Sequence, residues 1–172
     1  MKGFYVISQW VAKTAQHDVE WRFYGDITPC WRAEADDLAS SLHDKVKFCG
    51  NVSPEIIFSE IDILVHASVE FETFGMVLVE AARAGIPSVA SAMGAGGEIV
   101  VDGSTGYLFD PLGDPSAGLE SLIRLIQDRG LRSEMGTKAR KRYETTFTAD
   151  IMARSYASFW NGVINKPENK TL

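Results

Sequence analysis

Two glutamates, Glu72 and Glu80, bracket the apolar run Phe74 to Val79 in EFETFGMVLVE at residues 70–80. An unpaired buried carboxylate costs several kcal/mol, on the order of the stability margin of a whole domain, so this placement calls for a partner. Read as the first turn of a helix, Thr73, Phe74, Gly75 and Met76 carry backbone N–H groups without partners and about half a positive charge. Such a turn suits an anion, most naturally a phosphate. Gly75 lets the backbone come close to it. Glu72, just outside the helix, can accept hydrogen bonds from hydroxyls on one side of the phosphates. Glu80, about a turn and a half inside, projects back toward the helix start and can reach hydroxyls on the other side. A ligand with a polyol at each end and phosphates between them fits, which describes a nucleotide sugar. GAGG at 94–97, ahead of Glu98, offers a second set of exposed amides in a tight turn.

The elements that hold these junctions alternate. Residues 4–15 place Phe4, Ile7, Trp10, Val11 and Ala15 at helical spacing. WRFYGD at 21–26 reads as a strand closing on Gly25, 33–43 as a helix, and VKFCG at 46–50 as a strand. Ser53 and Pro54 make an N-cap and first-turn pair for a helix over 54–60, and IDILVHAS at 61–68 reads as a strand covered on both faces. The Glu80 helix runs from about 75 to 84 and stops at Gly85 and Pro87. A strand at 87–91, a short helix at 98–101 and a strand at 106–110 follow, and from Asp114 the pattern is helical. The expected fold is α/β, a doubly wound parallel Rossmann-like sheet with a helical C-terminus, one domain over 1–165 and a frayed tail over 166–172. In such sheets ligands lie beyond the carboxyl ends of the strands, where both glycine-bearing junctions fall.

Composition narrows the partners. Seventeen basic against twenty-three acidic side chains give a net charge of −6, which argues against nucleic acid, because sequence-independent binding there is mostly Lys/Arg neutralising phosphate. Hydrophobic residues at 45% and charged ones at 23% are the ordinary globular mix. Two cysteines, Cys30 and Cys49, are too few for a disulfide framework and suit a reducing compartment. With no leader and no membrane-span pattern, the cytoplasm is the expected location. The sequence contains no G-x-S-x-G, H-E-x-x-H or P-loop element and no metal ligands at helical or hairpin spacing, so a metal-independent reaction is expected.

ETFGMVLVE at 72–80, AARAGIPSVAS at 81–91, GAGGEIV at 94–100 and DGSTGYLF at 102–109 together resemble the C-terminal, donor-binding domain of the group 1 retaining glycosyltransferases of GT-B architecture. Met1-Lys2-Gly3 is similar to that family's Lys-Gly element at the first helix, and ARKRYETTFT at 139–148 to its late segment. The resemblance implies a nucleotide diphosphate sugar of UDP or GDP type as substrate, with no further cofactor. It implies that Glu72 contacts the donor sugar, that Glu80 binds ribose hydroxyls, and that the amides around Phe74, Gly75 and Met76 meet sugar or phosphate. It further implies that Lys2 neutralises the diphosphate, that Gly25, Gly50, Asn51 and Val52 pass near the base, and that Glu98 closes the floor.

Ala67 and Ala95 depart from the pattern, standing where the family usually has proline and a second glycine. The resemblance also implies a first strand ahead of the Lys-Gly element, which in a doubly wound sheet lies in the middle, and an N-terminal acceptor domain, the half through which peripheral membrane association would arise. The expectation is therefore a fragment, poorly stable or self-associating alone, with β edges exposed where a central strand belongs. Two other readings stay open: a nucleotide-sugar binding module without catalysis, and a nucleotide-sugar epimerase.

Overall fold

The computed structural model describes residues 3–71 and 73–164. The positions of Lys2 and Glu72 and the tail expected over 166–172 lie outside the described residues.

Helix α1 (Phe4–Thr14) buries Phe4, Trp10 and Val11 of the stripe expected over 4–15, together with Val6 and Thr14, while Ile7 and Ala15 are half-buried. Strand β1 (Trp21–Tyr24) follows, then a 3-10 turn Pro29–Trp31, α2 (Arg32–Ser41) and β2 (Val46–Gly50). Next come α3 (Pro54–Glu60), β3 (Leu64–His66), α4 (Met76–Ala84), β4 (Ser88–Ser91), α5 (Gly96–Ile99) and β5 (Gly106–Phe109). Helices α6 (Ser116–Gln127), α7 (Arg129–Thr146) and α8 (Ala149–Ile164) complete the described chain. The α/β expectation holds, and every strand pairing is parallel.

β1 pairs with β2 as one sheet, while β3, β4 and β5 form another in that order. Among the described residues neither β1 nor β3 has a second strand beside it, at the place where the resemblance implies a central strand. β3 is also shorter than the run over 61–68. Its ladder registers only Leu64, Val65 and His66 on β4.

The core fills both faces. Trp10 of α1 meets Phe109 of β5 at 4.8 Å between ring centroids. Gly118 of α6 is a necessity there, since a Cβ would come within 2.6 Å of the Phe109 ring. On the opposite face Leu78 and Val79 of α4 pack with Ala90 of β4 and Ile99 of α5. Helix α4 ends as its sequence predicts. Gly85 takes φ 76, its N–H donates to the Ala82 carbonyl at 3.0 Å, and Ile86 N–H donates to Ala81 at 2.9 Å. These two bonds close the helix with the glycine in the left-handed region that a side chain would strain. Of the four tryptophans, Trp10 is buried and Trp21 and Trp31 half-buried, whereas Trp160 on α8 is exposed, with Tyr156 and Phe159 beside it.

Candidate nucleotide-sugar site

Three chain starts gather at the carboxyl ends of β3 and β4. The first is α1. Gly3 precedes it at φ 73, and a Cβ on Gly3 would stand 2.7 Å from the Ala67 carbonyl carbon and overlap its oxygen. The start of α1 is therefore seated against the residue that follows β3. Val6 and Ile7 N–H donate to the Gly3 carbonyl at 3.0 and 3.2 Å, so the amides of Phe4 and Tyr5 fall in the helix's open first turn. Tyr5 Oη donates to the Pro111 carbonyl at 3.4 Å, linking this helix start to the loop after β5.

The second start is α4. It begins at Met76, with Gly75 at φ 72 as its N-cap, so Thr73 and Phe74 lie in the bend before the helix rather than in its first turn. Leu78 N–H closes on the Gly75 carbonyl at 2.9 Å, leaving the amides of Met76 and Val77 as the open ones. The pattern of apolar residues begins before the helix does, because Phe74 and Met76 are 51% and 56% exposed and serve the rim of the junction, not the core. Glu80 sits half-buried on α4, and among the described residues it makes neither a hydrogen bond nor an ion pair, not even with Arg83 three residues on.

The third start is the turn after β4. Ser91 Oγ accepts from Met93 N–H at 3.2 Å, Gly94 takes φ 63, and Gly96 lies so close to Ser91 that a Cβ would overlap the Ser91 carbonyl oxygen. Helix α5 begins at Gly96, two residues earlier than expected, with Glu98 exposed on it and Ala95 buried. The close approach therefore rests on Gly96 and survives alanine at position 95.

A residue that sequence reasoning missed fixes this turn. Arg142 of α7 donates from Nε to the Ile99 carbonyl at 2.9 Å and from Nη2 to the Glu98 carbonyl at 2.6 Å. A helix as short as α5 leaves its last carbonyls unpartnered, and the guanidinium fork meets two of them. The basic run 138–142 reads as a solvated face in sequence. In the fold Lys138 does pair with Glu134 on that face, while Arg140 reaches the Arg83 carbonyl at the end of α4 and Arg142 the end of α5. Arg142→Ala is expected to cost about 1–3 kcal/mol, the range for a lost charge-assisted hydrogen bond, seen as a lower urea midpoint. Arg142→Lys should recover only part of it, for want of the second donor.

On the far side of the break, Gly25 N–H donates to the Gly50 carbonyl at 2.8 Å, at the carboxyl ends of β1 and β2. Both glycines are left-handed, at φ 97 and 67, with nothing within 4 Å of an added Cβ. Asn51 Nδ2 donates to Asp26 Oδ1 at 2.9 Å, and Val52 is half-buried beside it. These residues line open space rather than a packed interior. Among the described residues, no group of three or more His, Cys, Asp or Glu side chains is placed to hold a metal ion, and no helix is long and apolar enough to cross a membrane.

The family model described as glycosyl transferases group 1 matches residues 1–142. N-acetyl-alpha-D-glucosaminyl L-malate synthase of Bacillus anthracis is 31% identical over 137 residues, which cover 77% of this chain and 35% of that protein. Among solved structures, Anabaena Alr3699/HepE in complex with UDP-glucose superposes with a TM-score of 0.80 at 24% identity, over 94% of this chain and 45% of that one. A C-terminal domain of a glycosyl transferase group 1 family protein from Francisella tularensis superposes with a TM-score of 0.73 at 25% identity, over 86% of this chain and 80% of that one. The chain spans about 35% of the length of the curated relatives it first matches.

Proposed function

Because this chain belongs to the group 1 glycosyl transferases and corresponds to their C-terminal domain, we propose that it is the donor-holding half of a retaining, metal-independent glycosyltransferase that moves a hexose from a nucleotide diphosphate to a hydroxyl acceptor. The observation that carries this reading is Glu80, a half-buried carboxylate unpartnered among the described residues, on a helix whose open amides at Met76 and Val77 follow a left-handed glycine. An acid in that position is held ready for donors that come from outside the chain, and hydroxyls are the donors a nucleotide sugar brings. The UDP-glucose complex of the Anabaena relative in fold lends the donor class further support.

The work of such a domain is to stabilise the leaving diphosphate. Negative charge grows on it as the glycosidic bond breaks, and fixed backbone dipoles at the starts of α1 and α4 meet that charge without having to reorganise. Lys2 would add a full positive charge and Glu72 would orient the sugar. Ribose falls to Glu80 and the base to the rim built from Gly25, Gly50, Asn51 and Val52. Thr73 and Phe74 form the lip before α4, and Glu98 the floor. The acceptor would come from a half outside this chain, so turnover by the chain alone is not expected, whereas nucleotide binding is.

Calorimetry with UDP and GDP tests the reading. Glu80→Ala should weaken both by about 10- to 100-fold, the equivalent of one lost charge-assisted hydrogen bond, with an unchanged melting profile. Equal affinity of the variant and the parent chain would refute the assignment of ribose to Glu80.

A further inference from the structure

The carboxyl ends of β1 and β2 are tied together twice. Gly25 N–H donates to the Gly50 carbonyl, and one residue further along each chain Asn51 Nδ2 donates to Asp26 Oδ1 at 2.9 Å. The first bond is made by backbone, the second by two exposed side chains. That second bond satisfies no buried group, and an exposed bond adds little to stability. Its effect is on orientation. An ionised carboxylate only accepts, so the Asn51 atom beside it is the amide nitrogen, and each side chain fixes the other. Among the described residues Asp26 makes no other hydrogen bond and no ion pair. The pair therefore keeps one donor, the second N–H of Asn51 Nδ2, beside the two acceptor oxygens of Asp26. With nothing within 4 Å of an added Cβ at Gly25 or Gly50, the backbone next to this pair is open to a flat ligand.

We propose that Asp26 and Asn51 together read the base of the nucleotide and select guanine, so that the donor is a GDP sugar. The inference rests on the assignment of the base to the rim at Gly25 and Gly50 to Val52 made under the proposed function. Guanine's pairing edge carries one acceptor, O6, followed by two donors, N1–H and the N2 amine. These meet one donor and two acceptors without a mismatch. Both guanine donors go to an ionised carboxylate, and hydrogen bonds of that kind are roughly twice as strong as neutral ones. Uracil has a single donor, N3–H, between O4 and O2, so one of its oxygens faces a carboxylate oxygen. Adenine offers its N6 amine, but its N1 is an acceptor and again meets an acceptor. Once a base covers the pair, such a mismatch leaves polar groups out of water and unpaired, which discriminates more sharply than a missing contact does. Asp26 is thus the specificity-determining residue and Asn51 both holds it and meets O6.

Calorimetry of the chain with GDP, inosine diphosphate, ADP and UDP tests this, and the unsubstituted chain alone decides it. GDP should bind about 100-fold tighter than UDP or ADP, the equivalent of two charge-assisted contacts. Inosine diphosphate, which lacks only the N2 amine, should bind about tenfold weaker than GDP. Asp26→Asn puts an amide where a carboxylate stood. It should bring GDP and inosine diphosphate to equal affinity and leave UDP nearly unchanged, with the melting profile of the parent chain. Equal binding of GDP and ADP would overturn the proposal, because it marks purine stacking without edge recognition. Equal binding of GDP and UDP would overturn it while leaving the nucleotide-sugar reading in place. A GDP preference that persists in Asp26→Asn would also overturn it, by assigning the selection to other residues. Failure of all four nucleotides to bind would overturn this inference and the proposed function together.

Discussion

Gly3→Ala is expected to lower the melting temperature by roughly 10 °C and to remove measurable nucleotide binding. Two costs coincide at this position. The left-handed φ of 73 costs a side-chain-bearing residue about 1–2 kcal/mol. The added methyl would also overlap the Ala67 carbonyl, and forcing extra volume into a packed site costs about 1–3 kcal/mol more. Together they are a sizeable part of the 5–15 kcal/mol by which domains are stable. The binding loss follows from where relief must occur. Ala67 is buried behind β3, so α1 is what gives way, carrying its open amides and the Tyr5 to Pro111 link off the junction. Gly103→Ala separates the two costs, because Gly103 has φ 69 but nothing within 4 Å of an added Cβ. It should lose only the strain energy, a few degrees of melting temperature, and leave nucleotide binding intact. Equal melts for the two variants would show that the Ala67 contact carries no weight.

That contact marks the boundary of what sequence reveals here. The stop of α4 was legible because Gly85 and Pro87 act locally: one supplies a positive φ and the other cannot continue a helix. The fold class was legible because apolar strand runs alternate with helical spacing. The start of α4 was misplaced, by one residue against the run from about 75 and by three against the first turn read from Thr73, since Gly75 is as acceptable in a first turn as in the N-cap it occupies, and only the φ of 72 decides. Positions held by distant partners were not legible at all. Gly3 is fixed by a carbonyl at residue 67, and the carbonyls of α5 are met by a guanidinium at residue 142, with no local pattern to announce either. Nor did the basic run 138–142 show which of its members face water, because that depends on where α4 and α5 end beside α7. The two glutamates were read by a different kind of inference, in which a charged group placed among apolar ones implies a partner. Glu80 makes no ion pair or hydrogen bond among the described residues, and the ribose assigned to it is the proposal that calorimetry tests.

Gly96→Ala should destabilise the chain by about 1–3 kcal/mol and weaken UDP by roughly tenfold or more, against the direction that helix propensity predicts. Gly96 opens α5 and is not in the left-handed region, so backbone preference alone would favour alanine by about 1 kcal/mol. Sterics reverse the sign. The methyl would overlap the carbonyl oxygen of Ser91, a buried residue ending β4, which is flanked by β3 and β5 and cannot retreat. Helix α5 must therefore lift away, drawing the Gly94 turn with it and straining the two bonds from Arg142. Gly97→Ala is the matched comparison, one residue along the same helix. Its Cβ would lie 3.9 Å from Leu108 Cδ1, an ordinary contact, so there the propensity gain should stand and the variant should be neutral or slightly more stable. If urea melts place both variants on the same side of the parent chain, the tight seating of α5 on β4 is not what shapes this junction. If Gly96→Ala melts early yet binds UDP unchanged, the turn at 94–97 is structural and the diphosphate is held by the starts of α1 and α4 alone.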